Sequence, residues 1–222
     1  MNLLVTGAAG YIGASFSYEA LKKGFRVYGC DNFINSDETN IKILENKFPN
    51  DFIFEKIDLS TELEKVKNFI SNKQIECVIH FASLKSVEES EKIPNEYWRN
   101  NLDSTFNVLK AMEDEGLKAL VFSSSASVYG QSKIQPLTED TNLIPESTYG
   151  KTKLAIEFIL KDLAEKSLIN VASLRYFNPI GSHKDGLIVE SISDNQSNIM
   201  PKIIRVAPVS YTHLTLPTSP HV

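Results

Sequence analysis

Short apolar runs and longer segments with helical spacing alternate along the chain from its first residues. Runs at Asn2–Thr6, Arg26–Cys30, Phe52–Lys56, Cys77–Phe81, Leu117–Ser123 and Val171–Arg175 read as strands. Between them Tyr11–Lys23, Asn40–Lys47, Thr61–Asn72, Asn95–Glu115 and Tyr149–Lys166 read as helices, with Gly24 and Gly116 as stops. Two of the runs, Val78-Ile79-His80-Phe81 and Ala119-Leu120-Val121-Phe122, are apolar almost throughout, as strands covered on both faces should be. The alternation predicts an α/β fold, a Rossmann-type doubly wound parallel sheet with helices on both faces. No internal repeat or low-complexity tract interrupts it.

Ligands of such sheets lie beyond the carboxyl ends of the strands, so the residues that follow each strand carry the chemistry. After the first comes Gly7-Ala8-Ala9-Gly10-Tyr11-Ile12-Gly13. Glycines at this spacing let the backbone turn tightly and approach a pyrophosphate, and the helix that follows offers its positive end to the phosphates. The second strand ends at Asp31, eighteen residues past Gly13. A carboxylate there accepts hydrogen bonds from ribose hydroxyls and repels a 2′-phosphate, which favours NAD over NADP.

Composition narrows the partners. At 222 residues the chain has room for one large α/β domain, or for one domain and part of another. Its net charge of −5 argues against nucleic acid or an anionic membrane as the main partner. No apolar run approaches a membrane span, and no basic-then-apolar leader precedes the first strand. Cys30 and Cys77 fall in apolar strand runs, which suits buried free thiols and a reducing, cytoplasmic location. Their spacing carries no metal signature, and the four histidines are scattered.

The sharpest chemical pattern is Tyr149-Gly150-Lys151-Thr152-Lys153. On a helix, positions i and i+4 share a face, so an ammonium can lie near the phenol. A free tyrosine ionises near pH 10 and a general base works best near 7, a gap worth roughly 4 kcal/mol. One desolvated ammonium, together with an oxidised nicotinamide, is expected to supply most of that. Ser125, after the fifth strand, is placed to bridge a substrate hydroxyl and Tyr149. Alone, Tyr-x-x-x-Lys reads as a surface pair; tied to the glycine loop and the serine, it reads as a dehydrogenase-type site.

These motifs resemble the extended short-chain dehydrogenase/reductase family, and within it the branch that epimerises UDP-sugars at carbon 4. The specific matches are Val5-Thr6-Gly7 through Gly13, Asp31-Asn32, His80-Phe81-Ala82-Ser83-Leu84-Lys85-Ser86-Val87 and Asn100-Asn101. Further matches are Phe122-Ser123-Ser124-Ser125-Ala126, Val128-Tyr129-Gly130, Arg175-Tyr176-Phe177-Asn178-Pro179 and Asn198-Ile199-Met200-Pro201. The resemblance implies Tyr149 as acid/base, Lys153 as its electrostatic partner and Ser125 as proton bridge. It implies NAD held by the glycine loop and by Tyr11, Ile12, Asp31, Asn32, Asn35, Ser36, Asp58, Leu59, Phe81, Ala82, Lys85, Asn100 and Phe177. Asn178 and Asn198 would reach the UDP-sugar, together with Ser125 and Tyr149.

The implied reaction interconverts UDP-glucose and UDP-galactose through a 4-keto sugar, with NAD regenerated in place. Related dehydratases carry an acid just after the serine strand, where this chain has Ala126 and Ser127, and that favours epimerisation. A 4-epimerase of a UDP-N-acetylhexosamine or of UDP-glucuronate, and a non-catalytic NAD-binding protein, stay open. The family also implies a homodimer through the helices at Asn95–Glu115 and Tyr149–Lys166.

The resemblance ends near Ala207. On this reading residues 1–182 are the NAD-binding domain and 183–207 the opening of a substrate domain whose remainder is expected to be missing. Pro208–Val222 has no Asp, Glu, Lys or Arg but three prolines and three threonines. Its Val209-Ser210-Tyr211-Thr212-His213-Leu214 is what GTC TCT TAT ACA CAT CTG, a sequencing-library adapter, would encode. A non-native tail and an inactive fragment are the corresponding expectations.

Overall fold

The computed structural model describes residues 1–133, 135–179 and 185–188. Asn198 and the tail 208–222 lie outside the described residues. Six strands, β1 (Asn2–Thr6), β2 (Arg26–Asp31), β3 (Phe52–Lys56), β4 (Cys77–His80), β5 (Ala119–Ser125) and β6 (Asn170–Tyr176), form one parallel sheet in the order β3-β2-β1-β4-β5-β6. The helices are α1 (Tyr11–Lys22), α2 (Thr39–Lys47), α3 (Leu63–Asn72), α4 (Val87–Lys92), α5 (Pro94–Asp114) and α6 (Thr148–Glu165). No helix among the described residues is long and apolar enough to cross a membrane.

Successive side chains of a strand point to opposite faces, and β1 shows how that divides the core. Leu3 and Val5 pack with Tyr18 and Leu21 of α1 and Ile41 and Leu44 of α2. Leu4 packs on the other face with Phe69 of α3, Val108 and Met112 of α5, and Ile156 and Leu160 of α6. Each fully buried side chain of this kind contributes about 1.5–3 kcal/mol. The chain winds outward from β1 in both directions, so a switch point lies between β1 and β4.

Three details depart from the sequence expectation. β5 runs on to Ser125 because Ser124 and Ser125 pair with Arg175 and Tyr176 of β6. α3 begins at Leu63 rather than Thr61, since Asp58 turns the chain first: its Oδ1 accepts from the Ser60 amide and hydroxyl at 2.9 and 2.6 Å. α4 was not expected at all. It is six residues long and mostly polar, so it lacks an apolar stripe, although Ser86 caps it by accepting from the Glu89 amide at 3.2 Å.

The buried phenol of Tyr18 joins early and late parts of the chain. Its hydroxyl donates to Asp185 Oδ2 at 2.9 Å and accepts from Lys47 Nζ, while Ile188 is buried in the α1–α2 layer.

A chain of polar groups runs beneath the switch point. The Ala82 amide donates to Thr6 Oγ1, which pairs with His80 Nδ1 at 2.8 Å. His80 Nε2 pairs with Thr105 Oγ1, whose own hydrogen goes to the Asn101 carbonyl. Donor counting therefore puts the proton of neutral His80 on Nε2. Asn101 continues the chain to the backbone of Leu84 and to Thr152 of α6.

Burial, and then the charge of Lys153, pull the His80 pKa down to about 3. The unfolded chain takes up this proton near pH 6.5 and the folded chain only near 3, so the stability His80 contributes is complete above 6.5 and lost across that window. Relative to His80→Gln, the protein should lose about 1.4 kcal/mol per pH unit between pH 6 and 4, read by chemical denaturation.

Candidate active site

At the end of β1 the chain turns through Gly7 with φ at 68°. A Cβ on Gly7 would stand 2.8 Å from the Ala82 nitrogen, and one on Gly13 would stand 2.2 Å from the Gly7 oxygen. Side chains are thus excluded where the loop meets β4 and where α1 meets the loop. Gly10 caps α1 without a side-chain bond, and the first turn carries no acid, so the positive end of the helix opens on the cleft.

Asp31 braces this loop. Its Oδ2 accepts from the Ala9 amide at 3.1 Å, and its Oδ1 accepts from the Phe33 amide at 2.9 Å and the Ser36 hydroxyl at 3.0 Å. An ionised carboxylate has about four acceptor positions, which leaves room for a ribose hydroxyl. Phe33 holds a left-handed φ of 64° beside it, a strain of the sort found at ligand-binding loops.

The cleft over this loop is about 290 Å³. The glycine loop with Tyr11 and Ile12 forms its floor, and Asp31, Asn32, Asn35 and Ser36 form one wall. Leu59, Phe81, Ala82, Lys85 and Asn100 form the other, and Ser125, Tyr149, Phe177 and Asn178 close the far end. Asp58 is not among the lining residues; its neighbours Ile57 and Leu59 are, and its carboxylate holds the turn at Ser60. Sequence reasoning missed Ser83, Leu84, Ser123, Ser124, Ser127 and Tyr176, all of which line the cleft. Their place at the carboxyl ends of β4, β5 and β6, in the last residues of the strand or just past it, was the signal that could have found them. A cleft with a glycine floor, a helix N-terminus and an acid at the second strand fits a dinucleotide. Among the described residues, no three His, Cys, Asp or Glu side chains converge as metal ligands do.

Lys153 lies behind the cleft, 2% exposed. Its ammonium donates to the Ser123 carbonyl at 2.9 Å and sits 5.0 Å from the Phe122 ring centre and 5.8 Å from that of Tyr149. Burial pulls its pKa down to about 7. Burial raises the pKa of the Tyr149 phenol, and the facing Ser125 hydroxyl pulls it back. Lowering a phenol so deeply buried takes positive charge placed beside it. Ser125 Oγ also accepts from the Ser127 amide at 3.2 Å, which fixes it at the strand end.

Glu157, one turn past Lys153, does not neutralise it. Arg175 takes that carboxylate through Nε at 3.1 and 3.2 Å and Nη2 at 2.7 Å, and Ser124 donates to it as well. Arg175 Nη1 reaches on to the Tyr129 hydroxyl at 3.0 Å. The pair locks β5, β6 and α6 together directly under the serine, tyrosine and lysine.

Residues 3–208 match the model of the NAD dependent epimerase/dehydratase family. The chain is 43% identical over 208 residues to a UDP-glucose 4-epimerase of Bacillus subtilis, covering 93% of this chain and 61% of that protein. A UDP-glucose-4-epimerase from Stenotrophomonas maltophila, solved with bound NAD and formylated UDP-arabinopyranose, superposes with a TM-score of 0.89 at 39% identity. That match covers 94% of this chain and 62% of the solved one. The enzyme from Bifidobacterium longum in complex with NAD+ and UDP gives 0.89 at 36% identity, over 96% of this chain and 64% of the other. The chain thus spans about three fifths of the length of these relatives.

Gly13→Ala pushes a methyl group into the loop backbone and should lower NAD affinity at least tenfold, measured by calorimetry on the 222-residue chain.

Proposed function

We propose that this chain, which belongs to the NAD dependent epimerase/dehydratase family, is the dinucleotide-holding part of a UDP-glucose/UDP-galactose 4-epimerase. The observation that carries the reading is the meeting of Ser125, Tyr149 and Lys153 at one end of a glycine-floored cleft. Relatives of the same kind, two of them solved with NAD, support it.

On this reading the helix N-terminus after Gly10 receives the pyrophosphate, and Asp31 and Asn32 hold the adenosine ribose. Asn35, Ser36, Leu59, Phe81, Ala82, Lys85, Asn100 and Phe177 enclose the rest. When bound, NAD supplies a reversible hydride acceptor for carbon 4 of the sugar and is regenerated at each turnover. Tyr149 takes the proton of the 4-hydroxyl and returns it, and Ser125 passes it between the two oxygens. Lys153 lowers the phenol once the positive nicotinamide has joined it in the cleft. Asn178 and Asn198 hold the nucleotide sugar. Residues 1–182 form the NAD-binding domain and 183–207 open the domain that holds the substrate. Two buried free thiols, Cys30 and Cys77, suit residence in the reducing cytoplasm.

Tyr149→Phe in the full-length protein should cut interconversion of UDP-glucose and UDP-galactose by two to four orders of magnitude with NAD still bound. A variant that loses nothing would leave a nucleotide-binding protein with no chemistry at residue 149.

A homodimer through α5 and α6 belongs to the same reading. Phe106 and Leu168, 47% and 54% exposed, line an apolar groove with Leu109, Ile159 and Leu163, and Phe158 of α6 is a further exposed ring at 62%. Phe158→Glu should shift the full-length protein from dimer to monomer in sedimentation velocity.

A further inference from the structure

We propose that Ser90 and Glu91 of α4 are positioning residues for Tyr149, holding the first turn of its helix from outside. An α-helix leaves its first amides without intrahelical partners. In α6 these belong to Thr148, Tyr149 and Gly150. Ser147, the helix's own cap, accepts only from Gly150, at 3.1 Å. The Thr148 amide donates to Glu91 Oε1 at 2.6 Å, and the Tyr149 amide donates to Ser90 Oγ at 3.1 Å.

Ser90 is fully buried, and its own hydrogen goes to the Val87 carbonyl at 2.6 Å, which aims a lone pair at Tyr149. Glu91 is exposed, and the Thr148 amide holds its carboxyl below the usual range. Both acceptors are ready-made, and both come from a different element.

The same short helix continues the wall of the cleft. The loop before it carries Ala82, Leu84 and Lys85, which line the site. Tyr97 of α5 ties its start in place, accepting from the Ser86 amide at 3.0 Å and donating to Glu89 at 2.7 Å. A shift of that wall therefore moves the two acceptors that pin the backbone of residues 148 and 149. The phenol hangs from the pinned residue and faces Ser125 on a separate element, β5. A displacement of about 1 Å at such a site costs up to roughly a hundredfold in rate. Filling of the cleft and placement of the phenol are thus coupled through α4.

The proposal rests on Tyr149 as the acid/base, so the experiment separates the two. The 222-residue chain is labelled at tyrosine Cζ, the Tyr149 resonance is identified by its loss in Tyr149→Phe, and NAD is titrated by NMR. The Tyr149 resonance should move on NAD binding. Glu91→Ala and Ser90→Ala should each lose at least half of that movement, with the other tyrosine signals in place. Glu91→Gln keeps an oxygen for the Thr148 amide and should behave as the unaltered chain. A full response in Glu91→Ala and Ser90→Ala overturns the positioning role, as does a Glu91→Gln that fails like Glu91→Ala. Should Ser90→Ala unfold, the exposed Glu91 pair decides alone. A Tyr149 signal in the unaltered chain that ignores NAD removes the acid/base reading, and this proposal with it.

Discussion

Two loops meet at the switch point with almost no space between them, and the site is arranged around that contact. The chain leaving β1 turns toward α1 on one face of the sheet, and the chain leaving β4 turns toward α4 and α5 on the other. Gly7 and Ala82 come close enough to exclude any side chain on the former. The crevice that opens above them is the floor of the cleft. Thr6, one residue before Gly7, and His80, two before Ala82, join the two loops by hydrogen bonds in the only arrangement that satisfies every donor.

The buried charges around Tyr149 divide their partners unequally. Glu157 lies four residues past Lys153 on the same helix and would ordinarily be its partner. Arg175 holds that carboxylate instead, and the guanidinium is stabilised in turn, its pKa raised mainly by Glu157. Lys153 is left with a carbonyl and two aromatic rings. An ammonium so poorly compensated keeps its charge only marginally near neutral pH, and for that reason it responds to whatever enters the cleft. The ion pair gives rigidity to the site, and the unpaired lysine gives it sensitivity.

Much of this was legible in the chain because it follows from short-range patterns. Strand and helix alternation, the glycine turn, Asp31 and the i, i+4 spacing of Tyr149 and Lys153 need only local geometry. What escaped depends on contacts between elements distant in sequence. α4 has no apolar stripe and is held by polar bonds instead, from the Tyr97 hydroxyl of α5 and from the backbone amides of Thr148 and Tyr149 in α6. Asp58 also holds a turn through its carboxylate, which nothing in its neighbours' identity announces. Spacing places an ammonium near the Tyr149 phenol but says nothing of how deeply both are buried. Burial is a property of the packed layers, so it became readable only with α6 laid against the sheet.

The phenol of Tyr18 and the carboxylate of Asp185 are separated by 167 residues of chain. During synthesis at about 5–20 residues per second, that partner emerges roughly 10–30 seconds after the tyrosine. For that interval Lys47, much nearer in sequence, is the partner available to the hydroxyl in the apolar layer between α1 and α2. The amino-terminal half of the sheet can therefore condense while the ribosome is still working, and the late arrival of Asp185 and Ile188 completes a layer already in place.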